Sequence, residues 1–411
     1  MRRLVALAAL ALACSAQPLT PEQETDLRVK IRAALFVPDC LPPLAATVHS
    51  RFRPAPGVVA ERITYNTLLG LRVPAILYLP EVRQGKTPAL VVVNGHGGDK
   101  YAWYAYWSGI AYARGGAAVL TYDPIGEGER NLERQSGTRA HDVAQSPPEL
   151  GRRMGGLMMT EVMQAVSYLA SRPEVDPRRI GAMGYSMGSF VLSLACGVET
   201  RLQACVLVGG GNLDGADGVW ERGKPMCQGL PYKALSFLGD RPAVMYALHA
   251  SRGATLTYNG LQDTTVSIPT HGPDFFADMH RRAAQLHGTT GGLFEYEFTS
   301  GAHRPYFVTK PVARWLERQL DFPNWTDSDI AALPVTHIGE WARDHGVALD
   351  RLYASEEREG GTPALGAGVP ALSRQELSVF TPEQWEQQKN RLIYEAWLEA
   401  ARKQLQHRAE K

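Results

Sequence analysis

Five consecutive residues, Gly184-Tyr185-Ser186-Met187-Gly188, constrain the fold of this chain more than any other feature. They have the pattern Gly-x-Ser-x-Gly and follow an apolar segment, 180–185, that is typical of a β-strand. The segment after them, 189–196, has the apolar content of a helix. A sharp turn from a strand into a helix lifts a serine hydroxyl out of a sheet, and the crowding around that serine requires glycine on both sides. The pattern therefore predicts a nucleophilic Ser186 on such a turn.

Ser186 needs two partners, because a serine hydroxyl is a weak nucleophile until a histidine accepts its proton and a carboxylate orients that histidine. On a strand–turn–helix scaffold of this type, the carboxylate and the histidine come later in the chain, on loops after later strands. Residues 254–259 and 293–298 are apolar segments that we interpret as strands. Asp263 follows the first and His303 follows the second. We therefore predict that Ser186, Asp263 and His303 form a catalytic triad.

Other residues remain candidates for two of these roles. Asp263 is also compatible with a simple turn cap. In that case Asp214 or Asp217, after the preceding predicted strand at 202–208, would supply the acid. His271 is the alternative base, although it follows Asp263 so closely that one loop would have to carry both groups.

A glycine-rich loop offers the second half of the catalytic machinery. Residues 88–93 read as a strand that is buried on both faces, and Asn94-Gly95-His96-Gly97-Gly98 follow it. The glycines allow the backbone to approach a substrate closely and to turn its amides inward. We predict an oxyanion hole formed by the backbone N–H groups of Met187 and His96, with Gly97 as the alternative to His96.

In these motifs the chain resembles an α/β-hydrolase: the GYSMG turn, the NGHGG loop, the GLQD loop with Asp263 and the GAHRP loop with His303. Its finer likeness is to bacterial esterases of the acetyl xylan esterase and dienelactone hydrolase type, which carry a motif similar to 122–130 after the fourth strand. The resemblance covers residues 55–325 and implies a mostly parallel central sheet with helices on both faces. Asn94 stands where this family usually has a histidine, so the loop is expected to be anchored differently.

The resemblance implies a serine esterase that cleaves carboxylic esters through an acyl-enzyme intermediate and uses no cofactor. It favours acetyl or other short-acyl esters of carbohydrate or small molecules as substrates. A serine peptidase of the prolyl oligopeptidase type shares the motifs, but only about 60 residues precede the first predicted strand, 61–66, which is too few for a β-propeller. A non-catalytic binding protein with this fold is the other alternative, and the intact order of Ser, Asp and His argues against it.

Two regions are candidates for substrate contacts. The aromatic-rich segment 101–107 follows the glycine loop, and Trp103 and Tyr104 are its best candidates, although such clusters more often pack in a core. Segment 209–239 is interpreted as a lid over the site or as a surface connector, and Trp220 is its candidate contact. Tyr185 in the serine motif is a further candidate.

The loop 123–130 is interpreted as structural. Asp123 ends a predicted strand but precedes the serine, which is the wrong order for the acid of this fold. Glu127 and Arg130 are the alternative substrate contacts in this loop.

The N-terminal residues predict export. Residues 1–16 combine Arg2 and Arg3 with a short apolar segment, which is typical of a signal peptide and too short to span a bilayer. Cys14 is an alternative site of lipid attachment. No other stretch is apolar and long enough for a membrane helix. Residues 17–54 are expected to be an N-terminal segment and residues 326–411 a helical extension.

Composition excludes several other classes. A formal net charge of +1 gives no reason to expect nucleic acid as a partner. Neither a phosphate-binding loop nor a local Cys/His spacing of a metal site is visible, so we predict no metal. Cys40, Cys196, Cys205 and Cys227 permit disulfides without fixing a pairing, and Cys196 and Cys205 are equally compatible with buried free thiols. The oligomeric state is left open.

Overall fold

The central element of the fold is a twisted sheet. The computed structural model describes residues 17–83, 85–143, 146–211, 227–289, 293–303, 307–349, 363–366 and 368–409. Within these ranges the sheet has the strands β1 (Thr47–Ala55), β2 (Val58–Asn66), β3 (Arg72–Pro80), β4 (Thr87–Val93), β5 (Ala118–Tyr122), β6 (Val175–Tyr185), β7 (Leu202–Val208), β8 (Ala254–Gly260) and β9 (Phe294–Thr299).

The spatial order of the strands is β1-β2-β3-β5-β4-β6-β7-β8-β9. Strands β1 to β3 pair antiparallel, and β3 pairs antiparallel with β5. All remaining pairs are parallel, from β5–β4 through β8–β9. In a parallel sheet the carboxyl ends of the strands meet at one edge, and ligands bind at that edge.

Helices cover both faces of the sheet. The first eight are α1 (Pro21–Ala34), α2 (Trp103–Arg114), α3 (Pro148–Ser171), α4 (Met187–Val198), α5 (Gly229–Ala234), α6 (Arg241–Ala250), α7 (Ile268–His287) and α8 (Lys310–Leu320). Buried side chains of α1, α3, α4, α6 and α7 form one core with one sheet face. Those of α2, α8 and the C-terminal region up to residue 393 form a second core with the other face, whereas the last helix, 394–409, belongs to the first core. Along β4, Val91 belongs to the first core and Leu90 and Val92 to the second, which explains its continuous apolar sequence. The predicted fold class is confirmed.

The C-terminal region adds further elements, most of which pack on the face of the sheet that carries α2. They are α9 (Asp327–Ala332), α10 (Ile338–Asp344), α11 (Arg374–Leu377), α12 (Pro382–Gln388), α13 (Tyr394–Ala409) and a small antiparallel pair, β10 (Val335–His337) and β11 (Pro363–Leu365). The Trp341 ring lies 5.1 Å from the Trp107 ring, and Arg130 Nε donates to the Leu392 carbonyl at 3.2 Å. The extension therefore packs on the core.

One segment prediction was wrong. The segment 17–54 is not separate, because β1 begins at Thr47 and pairs with β2. The first five residues of β1 have exposed side chains. The strand therefore lacks the alternating apolar pattern that identifies a strand in a sequence. Within the expected helical extension, residues 330–341 have helical apolar spacing, but a break containing Pro334 separates α9 from β10 and α10. Proline lacks the N–H group that helix continuation needs.

The cysteine pairing corrects another expectation. Cys196 in α4 and Cys205 in β7 form a disulfide, with their Cα atoms 6.8 Å apart. The alternative of two buried free thiols is therefore wrong. Cys40 is a free, exposed thiol and Cys227 is a free, buried one. Among the described residues no helix is long and apolar enough to cross a membrane.

Candidate active site

Four loops that follow parallel strands meet at the carboxyl edge of the sheet. The glycine-rich loop follows β4, Ser186 follows β6, Asp263 follows β8, and His303 follows β9. Strands β4 and β6 are direct neighbours, with Val93 opposite Gly184. Sheet topology therefore brings together residues that are far apart in the sequence.

The three predicted triad side chains are in hydrogen-bond contact. Ser186 Oγ lies 2.9 Å from His303 Nε2, and His303 Nδ1 lies 2.8 Å from Asp263 Oδ2. Asp263 is fully buried, and its Oδ1 accepts hydrogen bonds from the backbone N–H groups of Thr265 (2.9 Å) and Val266 (3.2 Å). These amides fix the carboxylate, which leaves Oδ2 directed at the imidazole.

The serine sits in a strained turn. Ser186 has φ 51° and ψ −113°, which non-glycine residues rarely adopt. Its N–H donates to the Val208 carbonyl at 2.8 Å, which ties the turn to β7. A Cβ atom on Gly184 would lie 2.4 Å from the Gly188 carbonyl oxygen, and one on Gly188 would lie 2.2 Å from the Val93 carbonyl oxygen. Both glycines are required because backbone approaches them closely, as the sequence pattern indicated.

Replacing Gly188 with alanine is expected to destabilise the fold. The new methyl group would meet the carbonyl oxygens of Val93 and Asn94, which are main-chain atoms and cannot rotate away. We expect a loss of about 3 kcal/mol in the free energy of unfolding, read from urea denaturation. The matched control is Gly229→Ala, since a Cβ atom there meets nothing within 4 Å. Equal urea midpoints for the two variants would contradict the crowding argument.

The backbone amides of Met187 and His96 are the two groups predicted to form an oxyanion hole. In the described part of the chain, neither Met187 N–H nor His96 N–H donates a hydrogen bond to another protein group. Nearby, the Gly95 N–H donates to the Tyr104 hydroxyl at 3.3 Å. Asn94 Nδ2 donates to the Tyr122 carbonyl at 3.0 Å, so the asparagine ties the loop to the end of β5.

Aromatic packing holds the imidazole in place. The Tyr185 ring lies 5.4 Å from the His303 ring and 5.2 Å from the Tyr104 ring. A Cβ atom on Gly209 would lie 2.7 Å from the His303 carbonyl oxygen, so the loop after β7 also closes against this residue. The alternative base, His271, lies in α7 with its ring 4.2 Å from that of Phe275.

The structure does not support three of the predicted substrate contacts. Trp103 and Tyr104 have no exposed surface, and Tyr185 is only 2% exposed. Trp103 packs edge-on against Trp107 at 5.2 Å, in the core that the C-terminal region covers. These buried rings pack against the glycine loop and the imidazole from the core. The prediction that they line the pocket is therefore corrected.

Glu127 and Arg130 are also unavailable to a substrate, because both are fully buried. Glu127 accepts hydrogen bonds from the backbone of 137–139, and Arg130 pairs with the buried Glu161. Burial raises the pKa of Asp123 to about 6, although the neighbouring Lys100 opposes this rise. The loop 123–130 is therefore structural, as the sequence order indicated.

Other candidates lie outside the described residues. These are Trp220, Asp214 and Asp217, together with residues 212–226 of the segment interpreted as a lid and the whole of the signal segment 1–16 with Cys14. The end of the 209–239 segment is described and contains α5 and a 3₁₀ turn, Ser236–Leu238.

A large cavity lies away from the triad. It has a volume of about 920 Å³ and is lined by residues of the β1–β2 hairpin, the segment after the glycine loop and the C-terminal region. Its basic side chains include Arg62 and Arg374, and Arg374 pairs with the buried Asp99. None of the three triad residues contributes to its lining.

Sequence reasoning missed the surroundings of His96. Its Nε2 lies 3.1 Å from Asp142 Oδ1 and 3.2 Å from Cys227 Sγ. The His141 ring stacks on the His96 ring at 5.4 Å. These residues come from three separate segments of the chain, so no local spacing could have indicated their convergence.

Part of this chain is similar in sequence to known esterases and hydrolases. Residues 53–208 match the sequence model of the acetyl xylan esterase (AXE1) family. That match includes Ser186 and the glycine loop but ends before Asp263 and His303. Among curated proteins, the chain is 27% identical over 161 residues to YtaP of Bacillus subtilis, a hydrolase by assignment. It is 26% identical over 150 residues to the thiohydrolase apmlB of Arthrinium phaeospermum.

These sequence matches are partial. Each covers 36% of this chain, and they cover 52% of YtaP and 43% of apmlB. The chain therefore matches about half the length of these curated relatives.

Solved structures extend the likeness over most of the chain. The methylesterase BT1017 aligns with a TM-score of 0.59 and 20% identity, over 92% of this chain and 72% of its own. A glucuronoyl esterase from Solibacter usitatus aligns with a TM-score of 0.50 and 15% identity, over 73% and 94% respectively. At such identities structural likeness establishes the fold alone. The chain therefore has the α/β-hydrolase fold, and within that fold it is similar to the acetyl xylan esterases.

Proposed function

We propose that this protein is a serine esterase that cleaves carboxylic esters through an acyl-enzyme on Ser186. The observation that carries the proposal is the continuous hydrogen-bond chain from Ser186 Oγ through His303 to Asp263, with heavy-atom distances of 2.9 and 2.8 Å. These distances lie within the range in which a base removes a proton from a nucleophile. The match to the acetyl xylan esterase family supports the same reaction class.

In the first half of the reaction, Ser186 Oγ forms a bond to the ester carbonyl carbon while its proton passes to His303 Nε2. The carbonyl oxygen gains a negative charge, and the amides of Met187 and His96 donate to it. The bond between the carbonyl carbon and the alcohol oxygen then breaks, and His303 returns the proton to the leaving alcohol. Asp263 holds the Nδ1 proton and stabilises the imidazolium in between.

In the second half, water attacks the acyl-enzyme and its proton passes to His303. The bond from the acyl carbon to Ser186 Oγ breaks, the serine recovers a proton, and the carboxylic acid leaves. These two steps balance in atoms and protons without an oxidant, a metal or a cofactor.

We propose acetyl and other short-acyl esters of carbohydrate as the substrate class. The acetyl xylan esterase match supports this choice. The best test is a panel of p-nitrophenyl acyl esters of increasing chain length, acetylated xylan, and Gly-Pro and Ala-Pro anilides, with wild type and Ser186→Ala measured side by side. We expect hydrolysis of acetyl esters and deacetylation of xylan, both lost in the variant.

Two results would redirect the proposal. Cleavage of the anilides without a preference for esters would assign a peptidase of the prolyl oligopeptidase type. A wild type that is inactive on every substrate would favour a non-catalytic binding protein.

We also propose that the protein is exported and that its signal segment is removed after Ala13 or Ala16, where the motifs Ala11-x-Ala13 and Cys14-x-Ala16 end. The Cys196–Cys205 disulfide supports an oxidising compartment. Expression of the full chain in a Gram-negative host, followed by intact mass spectrometry of the periplasmic fraction, is expected to give a chain that begins after Ala13 or Ala16. A membrane-bound chain that begins at an acylated Cys14 would assign a lipoprotein instead. An unprocessed chain in the cytoplasm would contradict export.

A further inference from the structure

Four side chains beside the glycine loop bring nitrogen, oxygen and sulfur atoms together. They are His96, His141, Asp142 and Cys227, named here the His96 cluster. One ligand atom from each lies within 4.8 Å of the ligand atoms of the other three. His141 and Cys227 are buried, whereas His96 and Asp142 are partly exposed. The four residues lie in the loop after β4, in the 3₁₀ turn Ala140–Val143 and in the segment that leads into α5.

His96 is the centre of the cluster. Its Nε2 faces Asp142 Oδ1 at 3.1 Å and Cys227 Sγ at 3.2 Å. One ring nitrogen carries at most one proton, and that proton can make a strong hydrogen bond to only one of these two atoms. A cation bound between the three atoms would interact favourably with all of them.

His141 supplies the second observation. Its Nδ1 lies 3.1 Å from the Ile125 carbonyl oxygen, which can only accept, so Nδ1 carries the proton and Nε2 carries a lone pair. The side chain is fully buried, and Nε2 has no hydrogen-bond partner among the described residues. A buried polar atom without a partner costs stability. A backbone carbonyl on one ring nitrogen is also the usual way in which proteins orient a metal-binding histidine.

We propose that His96, His141, Asp142 and Cys227 bind a Zn²⁺ ion. Two imidazoles, one thiolate and one carboxylate form a donor set that suits Zn²⁺, and four protein ligands are typical of a structural zinc site. Bond lengths of about 2.0–2.3 Å place the ligand atoms of a tetrahedral site about 3.3–3.8 Å apart. The two contacts of His96 Nε2 are slightly shorter than this and the upper limit of the cluster is 4.8 Å. Small side-chain movements therefore suffice.

The position of the cluster suggests what the ion does. Cys227 Sγ lies 3.7 Å from Met187 Sδ, next to the serine turn. The Cys227 N–H donates to Asp142 Oδ1 at 3.2 Å, and Arg139 pairs with Asp142 Oδ2 at 3.2 Å. An ion here would join three chain segments and hold the backbone of His96 in place. This role is separate from the ester chemistry, because Ser186, Asp263 and His303 are not among its ligands.

The test is zinc stoichiometry of the full chain, measured by inductively coupled plasma mass spectrometry after equilibration with Zn²⁺ and removal of the excess. We expect about one Zn²⁺ per wild-type chain, and less than a tenth of that in Cys227→Ser and His141→Asn. Cys40→Ser is the matched control, because it removes the exposed free thiol and is expected to keep the full zinc content.

Cobalt substitution keeps the test decisive if a variant folds poorly. Wild type loaded with Co²⁺ is expected to show a thiolate-to-cobalt charge-transfer band and the intense visible absorption of tetrahedral Co²⁺. A wild type that binds no Zn²⁺, or a Cys227→Ser variant that is folded by circular dichroism and keeps its Zn²⁺, would overturn the proposal. Neither measurement depends on ester hydrolysis. The zinc proposal can therefore fail while the esterase proposal stands, and the esterase proposal can fail while the zinc proposal stands.

Discussion

Ser186→Ala is expected to lower kcat for hydrolysis of p-nitrophenyl acetate by about 10⁶-fold. The variant removes the oxygen that forms the acyl-enzyme, and His303 is left 2.9 Å from an empty position. A small residual rate would come from binding and from the oxyanion amides. The measurement is the initial rate at saturating ester, with thermal unfolding as a check that the variant is folded.

Ser193→Ala is the matched control for this experiment. Ser193 lies in α4, the helix that follows Ser186, and its hydroxyl donates to the Phe190 carbonyl at 2.6 Å. We expect it to keep nearly full activity. If a folded Ser186→Ala kept more than a hundredth of the wild-type rate, the assignment of Ser186 as the nucleophile would be wrong.

Asp263→Asn is expected to lower kcat by about 10⁴-fold with little change in the fold. The carboxylate holds the proton on His303 Nδ1, and the amide can present an N–H group to that nitrogen instead. The imidazole would then favour the tautomer that carries its proton on Nε2 and cannot accept one from Ser186. The amide oxygen can still accept from the N–H groups of Thr265 and Val266, which limits the structural damage.

Asp274→Asn controls for the loss of a negative charge, because Asp274 is exposed on α7. We expect this variant to be as active as wild type. If Asp263→Asn were nearly as active as wild type, the acid would have to come from elsewhere, and Asp214 or Asp217 would become the leading candidates.

Much of the fold could be predicted because its signals are local. The strand before Ser186 and the helix after it follow from the apolar segments on either side of the Gly-x-Ser-x-Gly pattern. The structure places β7 at Leu202–Val208, the bounds read from the sequence. Asp263 and His303 could be found because parallel strands carry functional loops at the same edge of the sheet.

The features that were missed depend on tertiary contacts. Trp103 and Tyr104 follow the glycine loop, and this position predicted a role in the pocket. Packing against the C-terminal region buries the helix that carries them: a Cβ atom on Gly366 would lie 2.2 Å from the Trp107 ring. That region lies beyond residue 325, where the family resemblance ends, and neither periodicity nor motif indicated which face of the core it covers.

The His96 cluster was missed for a related reason. The sequence separation between His96, His141 and Cys227 is far outside any local metal-binding pattern. His96 was expected to contribute only its backbone amide. The side chain gains its partners because the 3₁₀ turn Ala140–Val143 and the segment at Cys227 fold against the loop after β4.

The most direct test of the central claim is covalent labelling of the nucleophile with a fluorophosphonate, located by peptide mass spectrometry. We expect one modified residue, Ser186, in the wild type. Labelling should be lost in Ser186→Ala and strongly slowed in His303→Ala, because the imidazole activates the hydroxyl. Labelling of a different residue, or equal labelling in a folded Ser186→Ala variant, would contradict the account of this protein as a serine esterase acting through Ser186.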